Sequence, residues 1–319
     1  MKVMITGGAG FIGSHVADAC LAAGHETIIV DDLSTGKREN VPAGARLYEV
    51  DIRDGAALDE VFRQERPDAI SHQAAKANVR ESMELPLVYA DVNVMGSLTL
   101  LEAARRYGCR KIVYASTGGA VYGEPEYLPV DENHPINPLD PYGASKHHVE
   151  HYLRIYSTHF SIDHTILRYP NVYGPRQDPY GEAGVVAIFA AQMLRGISPI
   201  INGSGEQQRD FCYVGDIARA NVLALTRGSG EIVNLGSGVG TSVNQVFDML
   251  AAACGCQMEK KHGPAKLGEV FCTYLDGSKA REVLGWEAQV SLEEGLQATL
   301  ESFRAKILSD ATSASPSSV

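Results

Sequence analysis

The fold of this chain is decided by the stretch Gly7-Gly8-Ala9-Gly10-Phe11-Ile12-Gly13, which directly follows a short apolar run at Lys2–Thr6. Apolar residues at helical spacing continue from Phe11 to Ala23, so the glycines lie in a turn between a strand and a helix. The G-x-x-G-x-x-G spacing lets the backbone approach a diphosphate, and the helix N-terminus presents unpaired N–H groups to it. A tight turn without a ligand is the alternative, but the strand before and the helix after favour a phosphate-binding turn.

An acidic residue stands at the end of the second predicted strand, Glu26–Val30. Asp31 lies 18 residues beyond Gly13, where a carboxylate accepts hydrogen bonds from ribose hydroxyls and repels a 2′-phosphate. The turn and this carboxylate together predict a dinucleotide site that takes NAD rather than NADP, even with Lys37 and Arg38 close by.

Strands and helices alternate through the first half of the chain. The predicted strands are Lys2–Thr6, Glu26–Val30, Ala69–His72, Lys111–Ala115 and Asp163–Arg168. The predicted helices are Phe11–Ala23, Ala56–Arg66, Leu87–Tyr107 and Tyr142–His159. Strands separated by helices imply right-handed βαβ crossovers, so we expect an α/β fold with a Rossmann-type, doubly wound parallel sheet.

The composition of the sequence changes after Tyr169, where predicted loops rich in Gly, Pro and Asn surround one predicted apolar helix, Val185–Arg195. We expect an NAD-binding Rossmann domain over residues 1–168, with 212–236 returning to it. A smaller C-terminal α/β substrate-binding domain would take residues 169–211 and 237–308. The last segment, 309–319, is rich in Ser, Ala and Thr without apolar periodicity, which predicts a disordered tail.

The composition of the chain indicates which kinds of partner and which location to expect. The chain has 319 residues and a formal net charge of −11. This acidic balance argues against nucleic acid or an anionic membrane, since both attract an excess of Lys and Arg. The six cysteines are scattered, which is typical of a cytoplasmic protein. The first predicted strand starts at Lys2, so no signal peptide is expected. No uncharged apolar run approaches the roughly 18 residues of a membrane span.

Tyr142-Gly-Ala-Ser-Lys146 places a phenol and an ammonium four residues apart, on one face of a predicted helix that begins after Pro141. A neighbouring cation favours the phenolate, so Tyr142 can act as the base that takes a proton from a sugar hydroxyl. Tyr107-Gly-Cys-Arg-Lys111 has the same spacing, but Gly108 breaks the helix there. A surface pair is the structural alternative for Tyr142 and Lys146.

Two hydroxyls, Ser116 and Thr117, follow the fourth predicted strand. Parallel-sheet enzymes collect their ligands at the carboxyl ends of strands, so either hydroxyl could bind the reacting oxygen. A serine/threonine turn that ends the strand is the structural alternative.

These motifs together resemble the extended short-chain dehydrogenase/reductase superfamily and, within it, the NAD-dependent epimerase/dehydratase family. The resemblance rests on the glycine turn, on Asp31-Asp32-Leu33-Ser34, on Ser116–Gly123, on Tyr142–Lys146 and on the segment from Arg168 to Gly174. It extends from Lys2 to about Phe303 and is closest to the members that epimerise UDP-hexoses at C4.

The resemblance implies an NAD that stays bound, and transfer of a hydride from C4 of the sugar and back through a transient 4-keto sugar. Tyr142 would deprotonate the 4-hydroxyl, Lys146 would bind the nicotinamide ribose, and Thr117 would supply the catalytic hydroxyl with Ser116 beside it. The implied cofactor residues are Gly7, Gly10, Phe11, Ile12, Gly13, Asp31, Asp32, Leu33, Ser34, Thr35, Gly36, Asp51, Ile52, Gln73, Ala74, Ala75, Asn93, Tyr142, Lys146 and Tyr169. The implied substrate residues are Thr117, Tyr142, Asn171, Val185, Asn202, Arg209, Lys266, Glu269 and Thr273.

Rival reactions in the family are disfavoured by missing residues. The 4,6-dehydratases carry an Asp-Glu pair after the catalytic threonine, whereas Gly118-Gly119 follows Thr117. Lys266 stands where the family usually has an arginine, and Asn202 stands where it usually has an aromatic or apolar contact to uracil. A small residue at Thr273 leaves room for a 2-acetamido group. The alternatives are therefore a 4-epimerase of UDP-GlcNAc/GalNAc or UDP-glucuronate, or a non-catalytic dinucleotide sensor.

Two further features bear on partners. Members of the family pair through the helices that match Leu87–Tyr107 and Tyr142–His159, so the resemblance implies a homodimer. His147 and His151 have the i,i+4 spacing of metal ligands, but a solvated or partner-facing helix is the better interpretation. Cys254 and Cys256 lack a further Cys/His cluster, so no metal site is predicted.

Overall fold

We describe a computed structural model of the chain over residues 1–180, 184–265 and 270–313. The strands are β1 (Lys2–Thr6), β2 (Glu26–Asp31), β3 (Arg46–Glu49), β4 (Ala69–His72), β5 (Lys111–Thr117), β6 (Asp163–Tyr169), β7 (Asn171–Tyr173), β8 (Ile200–Asn202), β9 (Gln208–Arg209), β10 (Phe211–Tyr213), β11 (Glu231–Asn234), β12 (Thr241–Ser242), β13 (Lys261–Gly263) and β14 (Cys272–Thr273). The α-helices are α1 (Phe11–Ala22), α2 (Gly55–Glu65), α3 (Val79–Glu84), α4 (Pro86–Tyr89), α5 (Gly96–Tyr107), α6 (Pro141–Phe160), α7 (Val185–Met193), α8 (Val214–Ala224), α9 (Val243–Cys254), α10 (Ser278–Leu284) and α11 (Leu292–Ser313).

Seven strands form the central sheet in the order β11-β6-β5-β4-β1-β2-β3, and every neighbouring pair is parallel. The chain moves from β1 to one edge through β2 and β3, then returns to the other side through β4. The order therefore reverses between β1 and β4, and such a reversal opens a crevice at the carboxyl ends of the strands. The expected doubly wound α/β sheet is confirmed.

Side chains of each central strand alternate between two apolar layers. In β1, Val3 and Ile5 pack with Val16 of α1 and Ile217 of α8 on one face. Met4 packs on the other face, where α2, α5 and α6 lie. Both faces of the sheet are thus covered, as a parallel sheet requires.

The long helix expected over Leu87–Tyr107 is interrupted. It begins as α4, passes through one π-helical segment at Ala90–Met95, and continues as α5. Gly108 ends it in the left-handed conformation at φ 76°, as a C-terminal glycine does. At the start of α6, Asp140 accepts a hydrogen bond from the Gly143 N–H at 2.7 Å, and Pro141 occupies the first turn.

Helices α7, α9 and α11 form a second lobe, whereas α10 packs on the core of the sheet through Ala280 and Leu284. Helices α7, α9 and α11 surround a separate apolar cluster that includes Phe189, Phe247 and Leu300. Within residues 212–236, α8 packs on α1 and β11 pairs with β6 at the sheet edge. The limits of the two expected domains stay a prediction.

The disordered tail predicted from residue 309 is wrong for its first five residues, because α11 extends to Ser313. Helix-favouring residues such as Ala305 and Lys306 carry the helix past Phe303, and Lys306 forms an ion pair with Glu39 at 3.1 Å. Residues 314–319 lie outside the described part of the chain. Of the helices described, none combines the length and the apolar composition that a bilayer-spanning segment needs.

Candidate active site

A cleft of about 1800 Å³ lies at the carboxyl edge of the sheet, between the sheet and the second lobe. Ligand pockets commonly measure about 300–1,000 Å³, so this cleft has room for two ligands side by side. One end is lined by the glycine turn and Asp31, the middle by Tyr142 and Lys146, and the other end by Arg209 of the second lobe.

The glycine turn has no space for side chains. A Cβ on Gly7, whose φ is +67°, would lie 2.7 Å from the Ala74 backbone nitrogen, and a Cβ on Gly13 would meet the Gly7 carbonyl oxygen. Gly10 begins α1 with no side chain capping its N–H groups. Bare backbone at the positive end of a helix dipole fits the diphosphate of a dinucleotide.

Asp31 lines the cleft at the end of β2 and supports the turn at the same time. Its carboxylate accepts hydrogen bonds from the N–H groups of Ala9 at 2.9 Å and Leu33 at 2.8 Å. Burial raises the pKa of this carboxyl, and the two backbone donors oppose that rise. Asp32 accepts a 2.7 Å hydrogen bond from the Ser34 hydroxyl. The loop after β2 is therefore shaped around an acidic rim that suits ribose hydroxyls.

Tyr142 and Lys146 stand one turn apart on α6, and both line the middle of the cleft. The Lys146 ammonium lies 4.5 Å from the centre of the Tyr114 ring. Burial lowers the pKa of Lys146 to about 7, and the nearby Glu150 carboxylate opposes that fall. When Lys146 carries its proton, a cation one helical turn from Tyr142 in a poorly solvated site favours the phenolate.

The two hydroxyls at the end of β5 occupy different environments. Ser116 donates its hydroxyl proton to the Glu150 carboxylate at 2.5 Å. Thr117 lines the cleft, and in the described part of the chain no other group binds its hydroxyl. The Thr117 hydroxyl can thus bind a ligand, whereas the Ser116 hydroxyl proton is already donated to Glu150.

Sequence reasoning missed the carboxylate behind these residues. Glu150 is 2% exposed and accepts two hydrogen bonds from Arg168, at 3.0 and 2.6 Å. Arg168 also donates to the Tyr122 hydroxyl at 2.7 Å. Burial alone would raise the pKa of Glu150, but hydrogen bonds from His147, Arg168 and Ser116 lower it to about 2. The available signal was the position of Glu150, one turn after Lys146 on the same helix.

Most of the expected cofactor residues line the cleft. They are Gly7, Gly10, Phe11, Ile12, Gly13, Asp31, Asp32, Ser34, Thr35, Gly36, Asp51, Ile52, Gln73, Ala74, Ala75, Tyr142, Lys146 and Tyr169. Leu33 and Asn93 are not among the lining residues. Asn93 is buried, and its amide bonds the backbone of Lys76 and the Ser145 hydroxyl, so it braces the wall from behind.

The expected substrate residues divide into three groups. Asn171, Val185, Asn202 and Arg209 line the cleft together with Thr117 and Tyr142. Thr273 is buried in β14, beside Arg209 of β9, and is not among the lining residues. Lys266 and Glu269 lie outside the described residues.

Arg176, which is not among the expected substrate residues, lines the cleft as well. Its guanidinium donates a hydrogen bond to the Asp18 carboxylate at 2.6 Å.

Comparison with known proteins gives a consistent match. The sequence profile of the NAD dependent epimerase/dehydratase family matches residues 3–236. A UDP-glucose 4-epimerase of Mycolicibacterium smegmatis is 43% identical over 312 residues, which cover 96% of this chain and 99% of that protein.

Two solved structures share the whole architecture. The UDP-glucose 4-epimerase of Thermotoga maritima, solved with UDP-glucose, has a TM-score of 0.95 at 47% identity and covers 96% of this chain and 100% of its own. The UDP-glucose 4-epimerase of Thermus thermophilus, in complex with NAD, has a TM-score of 0.91 at 45% identity, with 95% and 99% coverage.

Proposed function

Because this chain belongs to the NAD-dependent epimerase/dehydratase family, as the motifs predicted, we propose that it interconverts UDP-glucose and UDP-galactose by 4-epimerisation. The observation that carries the proposal is that one cleft joins the diphosphate turn to Tyr142, Lys146 and Thr117. The similarity to UDP-glucose 4-epimerases, one solved with UDP-glucose and another with NAD, supports the same substrate and cofactor here.

NAD held by the glycine turn and Asp31 would supply reversible hydride transfer at C4 of the sugar. Tyr142 takes the proton of the 4-hydroxyl, and the open Thr117 hydroxyl hydrogen-bonds the same oxygen. Bringing a tyrosine pKa from about 10 to about 7 takes roughly 4 kcal/mol, which the Lys146 ammonium helps to provide. The protonated tyrosine then returns the proton once the 4-keto sugar has presented its other face.

The second lobe would hold the nucleotide diphosphate while the sugar turns. Arg209 lines the far end of the cleft, where its guanidinium also donates to the Gln208 carbonyl at 2.8 Å. A guanidinium suits a diphosphate because it offers several donors in one plane. Asn171, at the start of β7, lines the same region. A fixed diphosphate and a wide cleft allow the 4-keto sugar to rotate without leaving.

The proposal is tested by incubating the purified protein separately with UDP-glucose, UDP-GlcNAc and UDP-glucuronate, without added NAD. We expect UDP-galactose from UDP-glucose, identified by NMR of the products. Product that forms only after NAD is added would contradict a retained cofactor. No product from any substrate, with or without NAD, would contradict the reaction itself and favour a dinucleotide sensor.

We propose that two copies of the chain pair through α4, α5 and α6. Large apolar side chains remain exposed on α4, on the adjoining π-helical segment and on α6, with Leu87 83%, Met95 54% and Ile155 47% accessible. A second copy would remove this apolar surface from water. The helices that pair in the family match this face. The expected cytoplasmic location stays a prediction.

Replacing Leu87 by glutamate is expected to convert the dimer to a monomer, because the change places a charge in an apolar interface. Light scattering at matched concentrations measures the mass. Leu308→Glu is the control, since Leu308 is also an exposed leucine, on α11. A Leu87→Glu protein that stays dimeric would contradict this interface.

A further inference from the structure

A buried histidine lies behind the cleft at the end of β4. The His72 side chain is 2% exposed, and it is not among the residues that line the cleft. Its ring packs at a tilt against Tyr114, with 5.5 Å between the ring centres. The Lys146 ammonium contacts the same Tyr114 ring. One aromatic ring therefore separates His72 from a lysine of the candidate active site.

Both ring nitrogens of His72 are hydrogen-bonded, and their partners fix the position of the proton. Nε2 lies 2.8 Å from the Ser97 hydroxyl, and that hydroxyl donates its own proton to the Asn93 carbonyl. Ser97 must therefore accept a hydrogen bond from a protonated Nε2. Nδ1 is then unprotonated and accepts a hydrogen bond from the Thr6 hydroxyl at 2.6 Å. The neutral Nε2–H tautomer is the one that satisfies both partners.

One end of this hydrogen-bond network reaches the glycine turn. Thr6 is the last residue of β1, and its hydroxyl oxygen accepts a hydrogen bond from the Ala74 N–H at 3.2 Å. Ala74 lines the cleft, and its backbone nitrogen would lie 2.7 Å from a Cβ on Gly7. Thr6 thus holds the Ala74 backbone against the turn that suits a diphosphate.

The other end of the network reaches the helical turn that carries Tyr142. Asn93 lies in the π-helical segment before α5, and its amide donates a hydrogen bond to the Ser145 hydroxyl at 2.9 Å. Ser145 donates in turn to the Tyr142 carbonyl at 2.7 Å. Ser97 and Asn93 are 1% exposed and Ser145 is 5% exposed, so water competes little for these bonds. A buried network with every member satisfied is rigid.

We propose that His72 is a positioning residue for the epimerase reaction, because its ring joins the residues around the glycine turn to the turn that carries Tyr142. The inference rests on the proposed function, which gives Tyr142 and the glycine turn their roles. Catalysis requires these two parts to keep a fixed separation, and a misplacement of about 1 Å can lower a rate about a hundredfold.

The charge state of His72 suits this role. Burial, and to a lesser extent the Lys146 ammonium, lower the pKa of His72 to about 3. The ring therefore stays neutral near pH 7, and its two hydrogen bonds keep their direction.

Two amide replacements of His72 separate the two ends of the network. In His72→Asn the amide takes the place of Nδ1, so it can accept from Thr6 but cannot reach Ser97. We expect kcat to fall about tenfold with KM and retained NAD unchanged, because a buried partner of Ser97 is lost. In His72→Gln the amide reaches the place of Nε2 and leaves Thr6 without an acceptor. We expect release of NADH, followed by its fluorescence, to become about tenfold faster.

Two further variants leave the histidine ring unchanged and keep the test available if a His72 variant fails to fold. Ser97→Ala should reproduce the lower kcat of His72→Asn, and Thr6→Val should reproduce the faster NADH release of His72→Gln. The matched control is His164→Asn, since His164 is 3% exposed but lies near the amino end of β6, at the opposite edge of the sheet from the cleft. Both rates should be unchanged in this control.

Nitrogen-15 NMR of the histidine rings in the unmodified chain reports the tautomer directly, and we expect a protonated Nε2 and an unprotonated Nδ1 for His72. An unprotonated Nε2 would overturn the proposal. It would also be overturned if kcat and NADH release changed together, or not at all, in the variants of His72, Ser97 and Thr6. An unmodified chain that forms no UDP-galactose would instead contradict the proposed reaction, and the NADH-release and NMR measurements would still test His72.

Discussion

Replacing Tyr142 by phenylalanine is expected to lower kcat about a thousandfold, within the range that general acid–base catalysis contributes. The phenol is the group that we propose to take and return the proton of the 4-hydroxyl, and phenylalanine has no proton to exchange. Tyr142 is half-buried at the cleft wall and phenylalanine keeps the ring, so substrate binding should change little. Initial rates of UDP-galactose formation across substrate concentrations separate kcat from KM.

The chain carries its own control for this experiment. Tyr107 and Lys111 have the same spacing as Tyr142 and Lys146, but Gly108 ends α5 between them and Lys111 lies on β5. Tyr107 packs against Phe62, away from the cleft. Tyr107→Phe should therefore leave kcat unchanged. A Tyr142→Phe enzyme with kcat within a few-fold of the original would show that another group is the base.

Replacing Glu150 by glutamine is expected to lower the free energy of unfolding by about 3 kcal/mol or more. Removing one partner of a buried ion pair leaves the other charge uncompensated, here the Arg168 guanidinium. Both side chains are nearly inaccessible, at 2% and 3% exposure. Urea unfolding at neutral pH measures the difference.

The pH dependence of the same experiment distinguishes the ion pair from packing. The pKa of Glu150 is lowered to about 2 from an ordinary value of 4.5. The ionised Glu150 carboxylate thus contributes to the free energy of unfolding above pH 4.5, and this contribution is lost as the pH falls toward 2. The stability difference between the two proteins should narrow over this interval. A difference that is constant with pH would contradict the assignment to the charge pair.

Two further variants keep this prediction testable. Glu60→Gln removes a similar pair, to Arg63 at 2.6 Å, from the exposed face of α2, where little change in stability is expected. If Glu150→Gln fails to fold, the double variant Glu150→Gln with Arg168→Met should recover folded protein, because it removes both charges. Failure of the double variant as well would point to the lost hydrogen bonds rather than to the unpaired charge.

Local signals were enough to predict the framework of the fold. Helices of the central domain are bounded by residues that signal a helix end in the sequence itself. Gly108 ends α5, and Pro141 lies in the first turn of α6. The diphosphate turn and the Tyr142–Lys146 pair also lie within single short segments. Site residues whose partners lie within a few positions along the chain could therefore be predicted from the sequence alone.

Features that depend on distant contacts were missed. β3 is a four-residue edge strand with mixed polarity, and only its pairing with β2 defines it. The roles of Ser116 and Thr117 could not be separated, because the partner of Ser116 lies 34 residues away on α6. The substrate residues on the second lobe rested on resemblance, and Thr273 is buried beside the cleft lining rather than in it.

The pairing of Glu150 with Arg168 also constrains how this cleft can change in evolution. Either substitution alone leaves an unmatched charge in the interior, so a lineage that changes one position crosses a poorly folded state. The two positions should therefore be inherited together, although 18 residues separate them. Libraries that diversify the cleft by mutation should keep both residues or vary them jointly.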